Sequence, residues 1–148
     1  MRVALVVSRY HRDITDRLET GARRALRDAG LDDAAIATVG VPGAFELAQA
    51  AHRLAATGRW DAIVCLGCLI KGDTPHFDYI ARATADGIMR ASQSTGVPIS
   101  FGVLTTLTRR QAGARAGNGD ANKGREAALA ALDMARLFRQ ADEERDPS

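Results

Sequence analysis

The sequence predicts an α/β protein built on a mainly parallel sheet of four strands. Two observations lead to this prediction: short apolar runs recur along the 148 residues, and stretches with helical periodicity lie between them. Strands that alternate with helices of about 12 to 18 residues require crossover connections, which place parallel strands side by side and cover both faces of the sheet.

The strands are predicted from four apolar runs at residues 3–7, 35–39, 62–70 and 99–104. The first run, VALVV, and the third, AIVCLGCLI, are apolar on both faces. This pattern is typical of a central strand in a parallel sheet, because helices cover such a strand on both sides.

The helices are predicted from apolar stripes of helical spacing. They cover residues 14–29, 43–57, 78–94 and 124–140, and a glycine follows each of the first three. Glycine is the common residue just past a helix end. The last eight residues, ADEERDPS, are too polar to pack. We therefore predict one domain at residues 1–140 and a polar C-terminal tail at residues 141–148.

Composition and charge exclude several classes of protein. The chain has 46% hydrophobic residues and no long biased tract, which predicts one sizeable core. Its 20 basic and 18 acidic residues are mixed along the sequence, so no surface dedicated to nucleic acid is expected. The N-terminal apolar run is far shorter than a signal-peptide core or a membrane span, and we predict a cytoplasmic protein without membrane contact.

Cys65 and Cys68 form a C-x-x-C motif inside the third predicted strand. A separation of three residues along a strand sends the two side chains to opposite faces of the sheet. They could then share neither a metal ion nor a disulfide. We predict buried structural thiols and no metal site.

Polar segments follow all four strands, and in a parallel sheet ligands bind beyond the carboxyl ends of the strands. These segments are SRYH (8–11), VPGAFE (41–46), KGDTPH (71–76) and LTTLTRR (104–110). Tyr10 and Phe45 offer flat apolar surfaces, and Glu46, Lys71 and His76 offer titratable groups. The mixture suits a planar polar ligand. The alternative interpretation is that the aromatics belong to the core and that the histidine is merely solvated. Two further aromatic residues, Phe77 and Tyr79, are assigned to packing.

The segment ARAGNGDANKG, residues 114–124, places Arg115 and Lys123 on either side of a Gly- and Asn-rich loop before the last helix. Side-chain charge, backbone N–H groups and a helix N-terminus together favour an anion, and phosphate is the natural candidate. The loop lacks the spacing of a Walker motif, so a nucleoside triphosphate is not expected.

Taken together, the motifs resemble those of the 6,7-dimethyl-8-ribityllumazine synthase family. They are VVSRYHRDITDRLETGA, VPGAFEL, CLGCLIKGDTPHFDYIA, GVPISFGVLTT and AGNGDANKGREAALAALDMA. The resemblance implies a flavodoxin-like three-layer α/β/α sandwich and a transferase that needs no metal or organic cofactor. It implies condensation of 5-amino-6-(ribitylamino)uracil with 3,4-dihydroxy-2-butanone 4-phosphate, in sites between neighbours of a homopentamer. Assembly into a decamer or a sixty-subunit shell is left open.

The resemblance also implies roles for individual residues. The catalytic set is His76, Arg115 and Lys123. Tyr10 falls where the family stacks an aromatic ring on the pyrimidine, His11 and Glu46 fall at ribityl-contacting positions, and Thr74 falls near the phosphate. Phe101 would come from the adjacent subunit. The implied substrate-binding set is Tyr10, His11, Ala44, Phe45, Glu46, Leu69, Ile70, Lys71, Asp73, Thr74, Phe101 and Arg115.

A second function remains open at this point. A scaffold that binds a lumazine or flavin ring but has impaired turnover would also fit Tyr10, His11 and Asp120, which depart from the usual family residues. A carboxylate at position 120 would weaken phosphate binding unless it points outward. A receiver-like module is disfavoured, because SRYH is not an acidic cluster at the end of the first strand.

Overall fold

The structure, a computed structural model, describes residues 1–145, which contain four strands and five α-helices. In chain order they are β1 (Val3–Ser8), α1 (Arg12–Asp28), β2 (Ile36–Val41), α2 (Leu47–Ala56), β3 (Ala62–Ile70), α3 (His76–Thr95), β4 (Ile99–Thr106), α4 (Arg109–Ala114) and α5 (Lys123–Arg145). All strand pairs are parallel, and the strand order is β2-β1-β3-β4. The predicted α/β class is therefore confirmed.

The sheet lies between two helical layers. Alternate side chains of β1 point to opposite faces: Leu5 packs with α1 and α5, whereas Val6 packs with α2 and α3. Both β1 and β3 are buried along nearly their whole length, as expected for central strands. The strand order changes direction between them: β2 lies on one side of β1, and β3 and β4 lie on the other. In parallel sheets ligands bind at the carboxyl ends of the strands at such a switch point.

The two cysteines lie on opposite faces of β3, as predicted. Cys68 belongs to the core under α1 and α5, and Cys65 to the core under α2 and α3. Both thiols are free and buried. Burial raises the pKa of Cys65 to about 12 and that of Cys68 to about 11, so both remain protonated at neutral pH.

Two elements differ from the sequence predictions. The segment after β4, for which no helix was predicted, contains the short helix α4, whose first turn is closed by a capping box between Thr108 and Gln111. Helix α5 continues to Arg145, five residues past its expected end, with exposed side chains in its last turns. The rest of the predicted tail, residues 146–148, lies outside the described residues. No helix of the described part of the chain is both long and apolar enough for a membrane span.

Helices α1 and α5 approach closely because glycines stand at their crossing. A side chain at Gly124 would overlap the carbonyl group of Leu18, and one at Gly21 would overlap the side chain of Asn122. Gly124 is the second residue of α5, so this contact fixes where the segment before α5 leaves the fold.

We expect Gly124→Ala to lower the free energy of unfolding by about 2–3 kcal/mol, because the added methyl group must push α5 away from α1. Urea unfolding followed by circular dichroism measures this change. Gly113→Ala is the matched control, since a methyl group there meets no atom within 4 Å and alanine favours a helix. Equal stabilities of the two variants would contradict the packing explanation.

Candidate active site

A cleft of about 810 Å³ opens at the carboxyl ends of β1 and β3. Four separate chain segments line it: the loop after β1, the turn before α2, the segment from the end of β3 into α3, and the start of α4. The lining residues are Tyr10, His11, Gly43, Ala44, Phe45, Glu46, Leu69, Ile70, Gly72, Thr74, His76, Phe77, Ile80 and Arg109. Nine of the residues predicted from the sequence are among them.

Two aromatic rings are available to a ligand in this cleft. The exposed fractions of Tyr10 and Phe45 are 64% and 62%, so the alternative that they are core residues is wrong. Phe77 and Tyr79, which sequence reasoning assigned to packing, differ from each other. Phe77 is half-buried and lines the cleft, whereas Tyr79 is 73% exposed on the outer face of α3, so its assignment to packing was wrong.

Glu46 and its neighbours are held by a short 3-10 turn, Ala44–Glu46, at the entry to α2. The backbone N–H of Glu46 donates to the carbonyl of Gly43 (3.3 Å), and the hydroxyl of Thr84 on α3 donates to the carbonyl of Ala44 (3.4 Å). Ala44 is buried, while Phe45 and Glu46 remain accessible from the cleft. The turn therefore anchors its first residue in the core and presents the next two.

His76 lies at the mouth of the cleft because α3 begins there, directly after the exposed segment 71–75. The start of that segment is fixed by a hydrogen bond from the N–H of Lys71 to the carbonyl of Thr106 (2.9 Å). Thr74 lines the cleft with His76. Lys71 and Asp73 are exposed on the same segment and do not line it.

The remaining predicted residues lie in a second cleft. Phe101, Arg115 and Lys123 line a space of about 410 Å³ between β4 and α5. The two clefts have no lining residue in common. A single chain thus brings together the predicted ring-binding residues and His76, but it does not bring Phe101, Arg115 and Lys123 to them.

The two basic residues of the second cleft are linked through the backbone. The N–H of Lys123 donates to the carbonyl of Arg115 (2.9 Å), and the Arg115 guanidinium donates to the carbonyl of Gln111 (3.1 Å). The Lys123 ammonium lies 3.1 Å from the Glu126 carboxylate. Both side chains of this ion pair are largely exposed, so it restrains the lysine only weakly.

Asp120 points away from this cleft. Its side chain is 98% exposed, lies 3.8 Å from the Arg125 guanidinium and lines a different hollow beside α1. The sequence predicted that Asp120 would weaken phosphate binding unless its carboxylate points outward. In the structure the carboxylate points outward.

Asn122 fixes the loop that carries the basic residues. Its buried side-chain amide donates to the carbonyls of Arg17 on α1 (3.2 Å) and Gly117 in the loop (2.8 Å). Its carbonyl oxygen accepts from the N–H of Arg125 (3.0 Å), which caps the N-terminus of α5. One side chain therefore joins α1, the loop and α5.

Arg109 is a cleft residue that sequence reasoning did not single out. It reaches from α4 to the loop after β1, where its guanidinium lies 3.2 Å from Nδ1 of His11 and forms an ion pair with Asp13. The hydrogen bond from Arg109 is the main reason that the pKa of Asp13 is lowered. The pKa of His11 is also lowered, first by burial and then by the Arg109 charge.

The only signal for Arg109 in the sequence was its place in LTTLTRR, one of the segments that follow a strand. Its partners lie 98 and 96 residues earlier in the chain, so local patterns could not have indicated them. Within residues 1–145, no group of three or more His, Cys, Asp or Glu side chains is arranged to hold a metal ion.

We expect Asn122→Ala to lower the free energy of unfolding by about 2–3 kcal/mol, because three partly buried hydrogen bonds to backbone groups are lost. Chemical denaturation measures the loss, and Asn118→Ala, in the exposed part of the same loop, is the control. If the two variants were equally stable, the hydrogen bonds of Asn122 would not be what holds the loop to α1.

A comparison with known families adds to this geometry. The family described as 6,7-dimethyl-8-ribityllumazine synthase matches residues 1–139, which is nearly the whole chain. The match extends over both clefts, from the loop after β1 to the middle of α5.

Proposed function

We propose that this chain, which belongs to the 6,7-dimethyl-8-ribityllumazine synthase family of transferases in riboflavin biosynthesis, condenses 5-amino-6-(ribitylamino)uracil with 3,4-dihydroxy-2-butanone 4-phosphate. The products are 6,7-dimethyl-8-ribityllumazine, phosphate and water. The observation that carries this proposal is the cleft at the β1–β3 switch point, where exposed Tyr10 and Phe45 meet Glu46 and His76.

The chemistry requires few protein groups. An amine attacks a ketone to form an imine, phosphate leaves, and a second nitrogen closes the ring; imine formation and ring closure each release water. Several protons move, but no protein nucleophile is needed. His76 is the proposed proton carrier, because an imidazole can take and return protons near neutral pH. Stacking on Tyr10 and Phe45 holds the ring in reacting geometry, which accounts for much of the expected rate gain.

The phosphate end of the substrate is assigned to the second cleft. Arg115 and Lys123 are cations beside the N-terminus of α5, an arrangement that favours a phosphate group and stabilises it as it departs. Asp120 points away, so it does not oppose this charge.

Because the two clefts of one chain do not meet, we propose that a neighbouring copy completes each site in a homopentamer. Phe101, Arg115 and Lys123 of one protomer would then face Tyr10 and His76 of the next. An exposed apolar surface beside the second cleft supports such a contact. Phe101 is 44% exposed on edge strand β4, and Leu107, Met134, Leu137 and Phe138 are exposed on neighbouring segments. Apolar surface of this kind is typical of oligomer contacts.

The test is to mix the protein with both substrates and to follow lumazine absorbance and free phosphate in the same reaction. We expect the two signals to rise together in equal amounts. His76→Ala should slow turnover by about 10²-fold, because substrate positioning survives the loss of the proton carrier. Arg115→Ala should slow it by about 10³-fold, because both binding and charge stabilisation are lost.

The contrary outcomes are distinct. Binding of the product without phosphate release by the wild-type protein would favour the scaffold function instead. Turnover of Arg115→Ala within a few-fold of wild type would remove this residue from the phosphate site. Complete inactivity of His76→Ala with intact substrate binding would contradict the positioning account.

The shared site is tested by complementation. We expect His76→Ala and Arg115→Ala chains, co-expressed with different affinity tags and purified through both, to regain activity in about a quarter of their sites, where both wild-type residues meet. As the control, His76→Ala paired with Glu46→Gln should regain none, because these two residues line the same cleft of one chain. Equal activity of the two mixtures would exclude a site shared between protomers.

A further inference from the structure

His11 has an unusual backbone that requires support. Among residues 1–145, it is the one non-glycine residue with positive φ (φ 59°, ψ 52°). A side chain in this left-handed region strains the backbone, so surrounding contacts must hold it there. The N–H groups of Ile14 and Thr15 donate to its carbonyl, each at 3.0 Å, and its ring lies against Tyr10 with the ring centres 4.6 Å apart.

The third contact, from Arg109, determines where the His11 ring carries its proton. A guanidinium can donate hydrogen bonds but cannot accept them. Nδ1 of His11, 3.2 Å from the Arg109 guanidinium, must therefore offer its lone pair. The proton of the neutral ring then lies on Nε2, the nitrogen on the other side of the ring.

Asp13 fixes Arg109 in turn. Its carboxylate pairs with the second terminal nitrogen of the same guanidinium, so Arg109 is held between the first turn of α1 and the His11 ring. As a bare surface ion pair, with both side chains about half exposed, this contact would stabilise the fold little. Its main effect is on orientation. With one terminal nitrogen paired to Asp13, the other terminal nitrogen of Arg109 is directed at His11.

The surroundings of the His11 ring favour its neutral form. Burial is the main cause of the lowered pKa of His11, and the Arg109 charge lowers it further, while Asp13 raises it. The other titratable side chains that line the same cleft are Tyr10, Glu46 and His76. The lowered pKa favours the neutral form of His11, which can donate a hydrogen bond.

We propose that Arg109 is a positioning residue that holds His11 in the Nε2–H tautomer, so that His11 donates a hydrogen bond to a hydroxyl oxygen of a polyhydroxylated ligand chain. This rests on the proposed function, which supplies a ligand with both a flat ring and a ribityl chain. Tyr10 and Phe45 offer faces for the ring, and Glu46 offers acceptor atoms in the same cleft. The Nε2–H of His11 is the complementary donor.

The tautomer is measured first, without a ligand. The chain has three histidines. Their ¹⁵N imidazole signals, assigned with His52→Gln and His76→Gln, should show His11 as neutral and protonated at Nε2 at neutral pH. In Arg109→Ala this signal should move to a mixture of tautomers, whereas Arg110→Ala, its neighbour on α4, should leave it unchanged. A ring protonated at Nδ1 in the wild-type protein would overturn the proposal.

Ligand recognition is measured next, by titration with 6,7-dimethyl-8-ribityllumazine and with 6,7,8-trimethyllumazine, which lacks the polyol chain. We expect Arg109→Ala to weaken binding of the ribityl compound about tenfold and to leave the trimethyl compound within about twofold. Arg109→Lys, which also can only donate, should recover part of the loss. Equal weakening of both compounds, or of neither, would overturn the proposal.

The two proposals can fail separately. If the wild-type protein formed lumazine and phosphate but Arg109→Ala failed to discriminate the two compounds, only the role of Arg109 would be wrong. If the wild-type protein formed no lumazine, the proposed function would fail, and the tautomer of His11 in the ligand-free protein would still be determined by the NMR measurement.

Discussion

Burial of β1 and β3 on both faces holds together the edge of the sheet at which the cleft opens. Each strand packs against α1 and α5 on one side and against α2 and α3 on the other, so neither can shift without disturbing two cores. The loops that follow these strands begin from fixed points. Tyr10 and His76, distant in sequence, share one cleft for this reason.

The contact between α1 and α5 fixes the position of the second cleft in a similar way. Gly21 and Gly124 allow the helices to approach, and Asn122 ties the intervening loop to α1. Arg115 and Lys123 are thereby held in a cleft separate from that of His76. The proposed chemistry uses groups from both clefts, and in the proposed homopentamer two copies of the chain supply them.

Much of the fold was predictable, because strand and helix periodicities follow directly from burial of one face or both faces of an element. The short helix α4 was missed since six residues are too few to form an apolar stripe, although T-x-x-Q at Thr108 and Gln111 was a capping signal. Tyr79 was misassigned because an aromatic residue within a helical pattern more often faces the core.

The candidate site was predictable in part. Segments that follow parallel strands must meet at one edge of the sheet, so Tyr10, Phe45 and His76 could be grouped from the sequence. Phe101 and Arg115 lie in a separate cleft, between β4 and α5. Periodicity does not determine to which of the two clefts a residue belongs. The pairing of Arg109 with His11 is a long-range contact between α4 and the loop after β1, and it had no local signature.

The left-handed backbone at His11 has a consequence for how a ligand would associate. Contacts within the chain, from Ile14, Tyr10 and Arg109, hold the loop after β1 in its strained conformation, so the conformational cost falls on folding and not on complex formation. A guest molecule would meet a preorganised donor and would not need to order this loop. Replacing His11 by a residue that relaxes the loop would therefore make the fold more stable and would lower its affinity for the ligand.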